Sequence, residues 1–216
     1  MGATVNLKQD RALQSREKLL RAAILLFSQH GFEATGLRMV AQHAGTSFQV
    51  IAYHFGTKED LWRAAVDRLW EDAYANLSRA VIPMSAEAGE DPKRLFRHHV
   101  RNLLAWNARY PHLRRISTQE FLAQSERYTN VILPHLREFM RHSRSLITDL
   151  TNAGLVKDLS AEEIQVLYRG LMVCNSIAPD EQELLTGKPC DDDESLDWQT
   201  DLLMKIFFRD QAPAFV

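Results

Sequence analysis

Apolar residues recur along this chain at helical rather than strand spacing, beginning close to its start. Within Gln14 to His30, Leu20, Ala23, Ile24 and Phe27 form one stripe, and Gly31 is placed to stop that helix. A shorter pattern sets Leu37, Val40, Ala41 and Ala44 on one face. Gly45 follows it, where a left-handed turn would penalise a Cβ. Thr46-Ser47 then offers a hydroxyl to cap a third helix, in which Ile51 and Phe55 turn inward. Phe48, Gln49, Val50, Tyr53 and His54 are left on the outward side of an element of about two turns, too short to be stable alone. The spacing therefore predicts three helices closing one small core, the last two hinged at Gly45 as a helix-turn-helix. Thr57 to Asp60 has the form of a capping box and opens a fourth helix carrying Leu61, Ala65, Leu69 and Ala73.

Helical signals continue through the remainder. Pro83 to Pro92 reads as a loop, and Asp91-Pro92 as the capped start of a helix reaching about Arg109. Pro111 begins a short helix through Phe121. A longer one covers about Ser125 to Asn152, kinked at Pro134 and ended by Gly154, with Leu136, Phe139, Met140, Ser143, Leu146, Ile147 and Leu150 on its buried side. Ser160 to Glu163 is a second capping box, followed by a stripe of Ile164, Leu167, Tyr168, Leu171, Met172 and Asn175. A last helix, about Glu194 to Arg209, carries Leu196, Leu203, Ile206 and Phe207, and the carboxylates of Asp191 to Glu194 favour its N-terminal dipole. The chain is thus predicted to be all-α with about nine helices: a helix-turn-helix domain over residues 10–58 and a larger helical domain over 59–210.

Composition refines this picture. No stretch approaches the roughly 18 uncharged apolar residues of a membrane span, and the N-terminus lacks an apolar signal core, so a soluble, cytoplasmic protein is expected. Cys174 lies in an apolar helical run and Cys190 in an acidic loop, which reads as one core thiol and one surface thiol rather than a disulfide. The net charge of −2 speaks against a strong nucleic-acid binder until it is divided. Up to Arg63 eight Lys/Arg stand against five Asp/Glu, a balance of +3, and the rest of the chain carries −5. The positive excess sits with the helix-turn-helix. It makes a sizeable phosphate-facing patch only when two copies lie side by side.

Ser15 to Ala23, Phe27, Gly31-Phe32, Ala34-Thr35, Ala41, Ala44-Gly45, Ser47, Tyr53 to Phe55 and Lys58 to Leu61 together resemble the DNA-binding domain of the TetR family of bacterial regulators. The match covers about the first sixty residues and is specific in order and spacing. It implies a larger C-terminal domain for ligand binding and dimerisation, and a regulator, expected to be a repressor, that leaves a palindromic DNA operator when a small-molecule effector binds. The resemblance implies DNA contacts from Thr35, Arg38, Ser47, Phe48, Gln49, Val50, Tyr53, His54 and Lys58. Gln49 suits adenine, Val50 a thymine methyl and Arg38 a base or a phosphate, while Tyr53, His54, Lys58 and the two hydroxyls suit phosphates. Two positions depart from the family pattern. Ala52 stands where tyrosine is usual, and Phe48 where a lysine or small polar residue is common, which alters the expected contacts and hence the operator.

The resemblance further implies a homodimer built from the last two helices, with Ile164, Leu167, Tyr168, Leu171, Met172, Leu196, Leu203, Ile206 and Phe207 as contacts. It also implies an effector pocket, for which Trp70, Trp106, Tyr110, Phe121, Tyr128, Phe139 and His142 are candidates beside their ordinary role as core residues. No cofactor is called for. His98-His99 point to different helix faces and His135 and His142 lack matching ligands, so no metal site is expected. Neither a nucleophile elbow nor a phosphate-binding glycine loop is present, and the chain reads as a non-enzyme. The alternative is an all-helical enzyme or carrier that contains a helix-turn-helix incidentally.

Overall fold

The computed structural model describes residues 2–80 and 91–208, and every regular element among them is helical. In chain order these are α1 Gly2–Ala34, α2 Leu37–His43, α3 Phe48–His54, α4 Lys58–Ala80, α5 Pro92–Arg109 and α6 Pro111–Leu122. A π turn, Tyr128–Ile132, then precedes α7 Leu133–Asn152, α8 Ala161–Ile177, α9 Pro179–Thr186 and α10 Asp193–Phe207. The described residues therefore hold ten α-helices and a π turn rather than about nine helices. One addition is α9. Its signals are local: Pro179 in the first turn, Asp180 and Glu181 beside the N-terminal dipole, and Gly187 as a left-handed stop. The kink expected at Pro134 takes the form of the π turn just before it. Proline lacks an N–H and its ring crowds the carbonyl four residues earlier, so the helix widens there. Most of the loop read at Pro83 to Pro92 lies outside the described residues, as does Arg209. No described helix is long and apolar enough to cross a membrane.

The chain forms two compact units, one of Met1–Asp72 with His112–Ile132, the other of Ala73–Pro111 with Leu133–Val216. A division at residues 58 and 59 would cut through the first unit, because the first part of α4, α6 and the π turn belong with α1 to α3. Its core gathers Leu19, Leu20, Ala23 and Phe27 of α1, Val40 of α2 and Ile51 of α3, with Leu61, Trp62, Ala65 and Val66 of α4 and Ile116 of α6. The Arg127 guanidinium lies 3.6 Å over the Phe32 ring, and its Nε donates to the buried Glu120 carboxylate at 3.0 Å. Glu33 and Glu59 also stand within 4 Å of Arg127. Gln119 Nε2 donates to the Ser28 carbonyl at 3.1 Å, and the His112 ring nitrogen meets the Ser28 hydroxyl at 2.8 Å, tying α6 to α1.

In the second unit α10 runs along α5. Arg101 reaches Asp193 and Asp197 at 2.8 Å, and Arg97 reaches Asp201 at 2.9 Å. Such exposed pairs contribute at most about 1 kcal/mol each, but their repeat along both helices fixes the register. Phe96 meets the rings of Phe207 and Phe208, and an antiparallel bridge from Val156 to Phe208 closes the end of α10. α8 joins α10 through buried amides: Asn175 Nδ2 donates to Gln199 Oε1 at 2.8 Å, and Gln199 Nε2 donates to the Cys190 carbonyl at 3.0 Å. This arrangement reverses the expected thiols. Cys190 is buried with its Sγ facing the Asn175 carbonyl, and Cys174 is exposed.

The residues assigned to the dimer contact divide in the same way. Ile164, Tyr168 and Met172 of α8 and Leu196, Leu203 and Phe207 of α10 are already buried within the single chain. Leu167 and Ile206 are exposed and Leu171 is half-buried. The reason lies in α8, which is apolar on both faces, so its stripe alone does not say which face closes the chain's own core. The outward set is Val166, Leu167, Val173 and Ile177 on α8, and Trp198, Leu202 and Ile206 spaced i, i+4, i+8 on α10.

His99 is a buried imidazole on α5 with no hydrogen-bond partner for either ring nitrogen among the described residues. Burial, with a smaller contribution from the neighbouring His98 charge, pushes it down to about 4. The unfolded chain therefore binds a proton near pH 6.5 that the folded chain refuses, and stability falls as pH drops from about 6.5 towards 4. We predict that His99→Leu removes up to about 3 kcal/mol of this acid sensitivity. Urea melts of both forms at neutral pH and near pH 4.5 check it; parallel losses in the two would refute the assignment.

Candidate nucleic-acid interface

α3 has only seven residues, so its position is imposed by its neighbours. α2 ends in a left-handed turn at Gly45 (φ 64°), where the Gly45 N–H donates to the Gln42 carbonyl and the Thr46 N–H to that of Ala41. Ser47 enters α3 with extended backbone in the capping position. Its hydroxyl makes no capping bond, so the expected side-chain cap is absent there. Ile51 is fully buried in the core of the first unit. Phe55, at the end of α3, is half-buried under the Arg16 guanidinium, 5.3 Å from the ring centre. The backbone N–H of Asp60 donates to Thr57 Oγ1 at 3.1 Å and starts α4.

This anchoring exposes one face of α3. Tyr53 is 81% exposed and Phe48 46%, Gln49 is exposed, and Val50 and His54 are half-buried. The Tyr53 and His54 rings stand edge-on at 5.0 Å. Arg38 is exposed in the first turn of α2 with no ion-pair partner among the described residues. Lys58 is held where α1 ends: its Nζ donates to the Glu33 carbonyl at 3.1 Å and lies 4.4 Å from the Phe32 ring centre. Thr35 departs from this set. It is 1% exposed, and its hydroxyl proton is shared between the Gly31 and Leu26 carbonyls, 2.8 and 3.2 Å away, so it closes the break in α1 at Gly31, whose backbone is non-helical (φ 77°, ψ 173°), instead of facing solvent.

The first unit also holds a polar groove of about 260 Å³ between α1 and the α2–α3 turn, lined by Arg11, Gln14, Ser15, Lys18, Gly45 and Thr46. Its α1 side follows i, i+3, i+4, i+7, a periodicity visible in the sequence but overlooked beside the apolar stripe.

The aromatic candidates for an effector pocket do not form one group. Trp106 stacks on Phe139 at 4.8 Å, contacts Tyr110 at 5.5 Å and donates from Nε1 to the Ala73 carbonyl, all in the second unit. Trp70, Phe121 and Tyr128 belong to the first unit, where Phe121 is exposed and meets Tyr128 edge-on. The side chain of His142 lies outside the described residues.

Residues 19–65 match the family model for bacterial regulatory proteins of the tetR family. The HTH-type transcriptional regulator RutR of Escherichia coli is 24% identical over 210 residues, covering 95% of each chain. The HTH-type transcriptional repressor NicS of Pseudomonas putida is 23% identical over 168 residues, covering 78% of this chain and 76% of its own. Among solved structures, a bacterial regulatory protein in the tetR family from Rhodococcus RHA1 shares the fold, with a TM-score of 0.72 at 18% identity over 91% of this chain and 98% of that one.

At the turn itself, a side chain at position 45 would find open space but would have to adopt a left-handed backbone. Gly45→Ala is expected to cost about 1 kcal/mol in urea unfolding, with Gly45→Asn milder, since asparagine tolerates that conformation better. Equal stability in all three would show that the turn relaxes freely.

Proposed function

Because the chain belongs to the tetR family of bacterial regulatory proteins, we propose that it is a homodimeric transcriptional repressor whose paired α3 helices read a palindromic operator and are released by a small-molecule effector. The observation that carries the reading is the exposed face of α3: Phe48, Gln49 and Tyr53 project from a helix whose opposite residue, Ile51, is locked in the core. Gln49 has the donor and acceptor pair that matches adenine in the major groove, and Phe48 offers apolar contact to thymine methyls. Arg38, Ser47, Tyr53, His54 and Lys58 surround them with donors suited to phosphates, which set register rather than sequence.

One copy reads only a half-site. Two α3 helices enter successive major grooves when held about 34 to 36 Å apart, which requires a dimer. The outward apolar residues of α8 and α10 support that pairing, with Gly170 exposed among them and leaving room for close helix approach. The effector lies in the second unit, where the Trp106, Tyr110 and Phe139 rings supply apolar walls and the His99 imidazole, on the same face of α5 and without a hydrogen-bond partner among the described residues, supplies a polar group. An effector that binds one dimer geometry more tightly shifts the population toward it by that difference in affinity.

Two measurements test this reading. Gln49→Ala combined with Tyr53→Ala is expected to abolish binding to an operator recovered by selection from fragments, while the dimer persists; unchanged binding would remove α3 from the interface. Leu202→Glu with Trp198→Glu should yield monomers by light scattering and cost DNA affinity at least about 100-fold, since charges placed in an apolar interface lose hydration. A dimer that survives this pair of changes would place the contact elsewhere.

A further inference from the structure

The polar groove beside the recognition helix is not explained by folding. Arg11, Gln14, Ser15 and Lys18 occupy one face of α1 over two helical turns, and Gly45 and Thr46 form the opposite wall. None of these side chains packs in the core of the first unit. Arg11 and Lys18 have no carboxylate partner among the described residues, although Asp10 and Glu17 lie on the adjacent face of the same helix. Glu17 pairs instead with Arg68, at 3.8 Å. Two cations seven residues apart thus face one concave surface together, and between them lie an amide and two hydroxyls that can donate hydrogen bonds.

Resting on the DNA-binding reading above, we propose that this groove seats a backbone phosphate of the duplex, so that α1 is a second, sequence-independent clamp beside α3. Its far wall, Gly45 and Thr46, immediately precedes Ser47 and Phe48 at the start of α3. A duplex entered by that end of α3 carries its sugar-phosphate strand past the turn. The polar lining matches an anion: Arg11 offers a planar fork of donors, Lys18 a point charge, and Ser15 and Thr46 hydroxyl donors. The Gly45 and Thr46 N–H groups are already bonded to the Gln42 and Ala41 carbonyls, so the donors to the anion are the side chains. The clamp also answers the modest local charge, by concentrating two of the first unit's cations at one point next to the reading helix.

The test is a fluorescence-anisotropy titration of the full chain and of Arg11→Ala/Lys18→Ala with a mixed-sequence duplex and with the selected operator, between about 50 and 200 mM salt. The variant is expected to bind both duplexes more weakly by a similar factor. Its plot of log affinity against log salt should be flatter by about one to two per protomer, with the operator-to-random ratio unchanged. Arg11→Lys/Lys18→Arg keeps the charge and is expected to restore the slope. An unaltered salt slope in the alanine variant overturns the clamp, even where affinity falls, and so does loss of binding in the charge-preserving pair. These failures leave the DNA-binding reading standing as long as binding still depends on Gln49 and Tyr53. Absence of duplex binding by the unaltered chain would overturn both.

Discussion

Seven residues of helix cannot hold themselves in water, and the first unit is organised around that constraint. α3 has one fully buried residue, Ile51, and the ring of Phe55, just past its end, lies under Arg16 of α1. All of its orientation comes from those contacts, from the turn at Gly45 and from the start of α4. The long helices around it are scaffolding in a literal sense. α1 and α4 supply most of the apolar volume, and Arg127 draws the π turn onto Phe32 beneath the same core. Glu120, almost fully buried, is tolerated there because Arg127 and Ser125 both donate to it; without them its desolvation would be uncompensated.

The helix-turn-helix was legible in the sequence because its signals are local and independent of the rest of the fold. Apolar spacing, a glycine in a left-handed turn and capping boxes all act within a few residues, and Ser160 with Glu163 form the reciprocal pair their spacing implies. Which faces meet was harder to read. On α8 apolar residues occur all round, so Leu167 and Tyr168 look equivalent until packing buries one and leaves the other in solvent. The thiols misled for a related reason. Cys174 sits in an apolar run that turns out to face outward, whereas Cys190 is held inside by its thiol facing the Asn175 main-chain carbonyl and by its own carbonyl accepting from the Gln199 side chain, contacts that no local spacing announces. Thr35 illustrates the same limit within the candidate site. A hydroxyl near a helix end suits a phosphate and a backbone carbonyl equally, and only the break at Gly31 decides for the carbonyl.

Polar groups mark the interior of the second unit. Asn107 donates to the Met172 carbonyl, and Asn175, Gln199 and Cys190 link α8 to α10 across the core. Each such bond adds little net free energy, yet an apolar replacement of one partner would strand the other. They favour one packing of these helices over near alternatives. His99 stands outside this network, a buried polar group with no hydrogen-bond partner for either ring nitrogen among the described residues.

The apolar character of the α3 surface has a thermal consequence. Phe48 and Tyr53 are kept wet in the free chain, and on the proposed reading a major groove closing over α3 dehydrates both rings together with the thymine methyl beside Phe48. Removing apolar surface from water lowers the heat capacity, so association through this helix, as proposed, would carry a curved temperature dependence that a purely ionic contact lacks. Its enthalpy becomes more favourable on warming and its entropy less so, and the balance between phosphate attraction and ring burial shifts with the temperature at which the protein works.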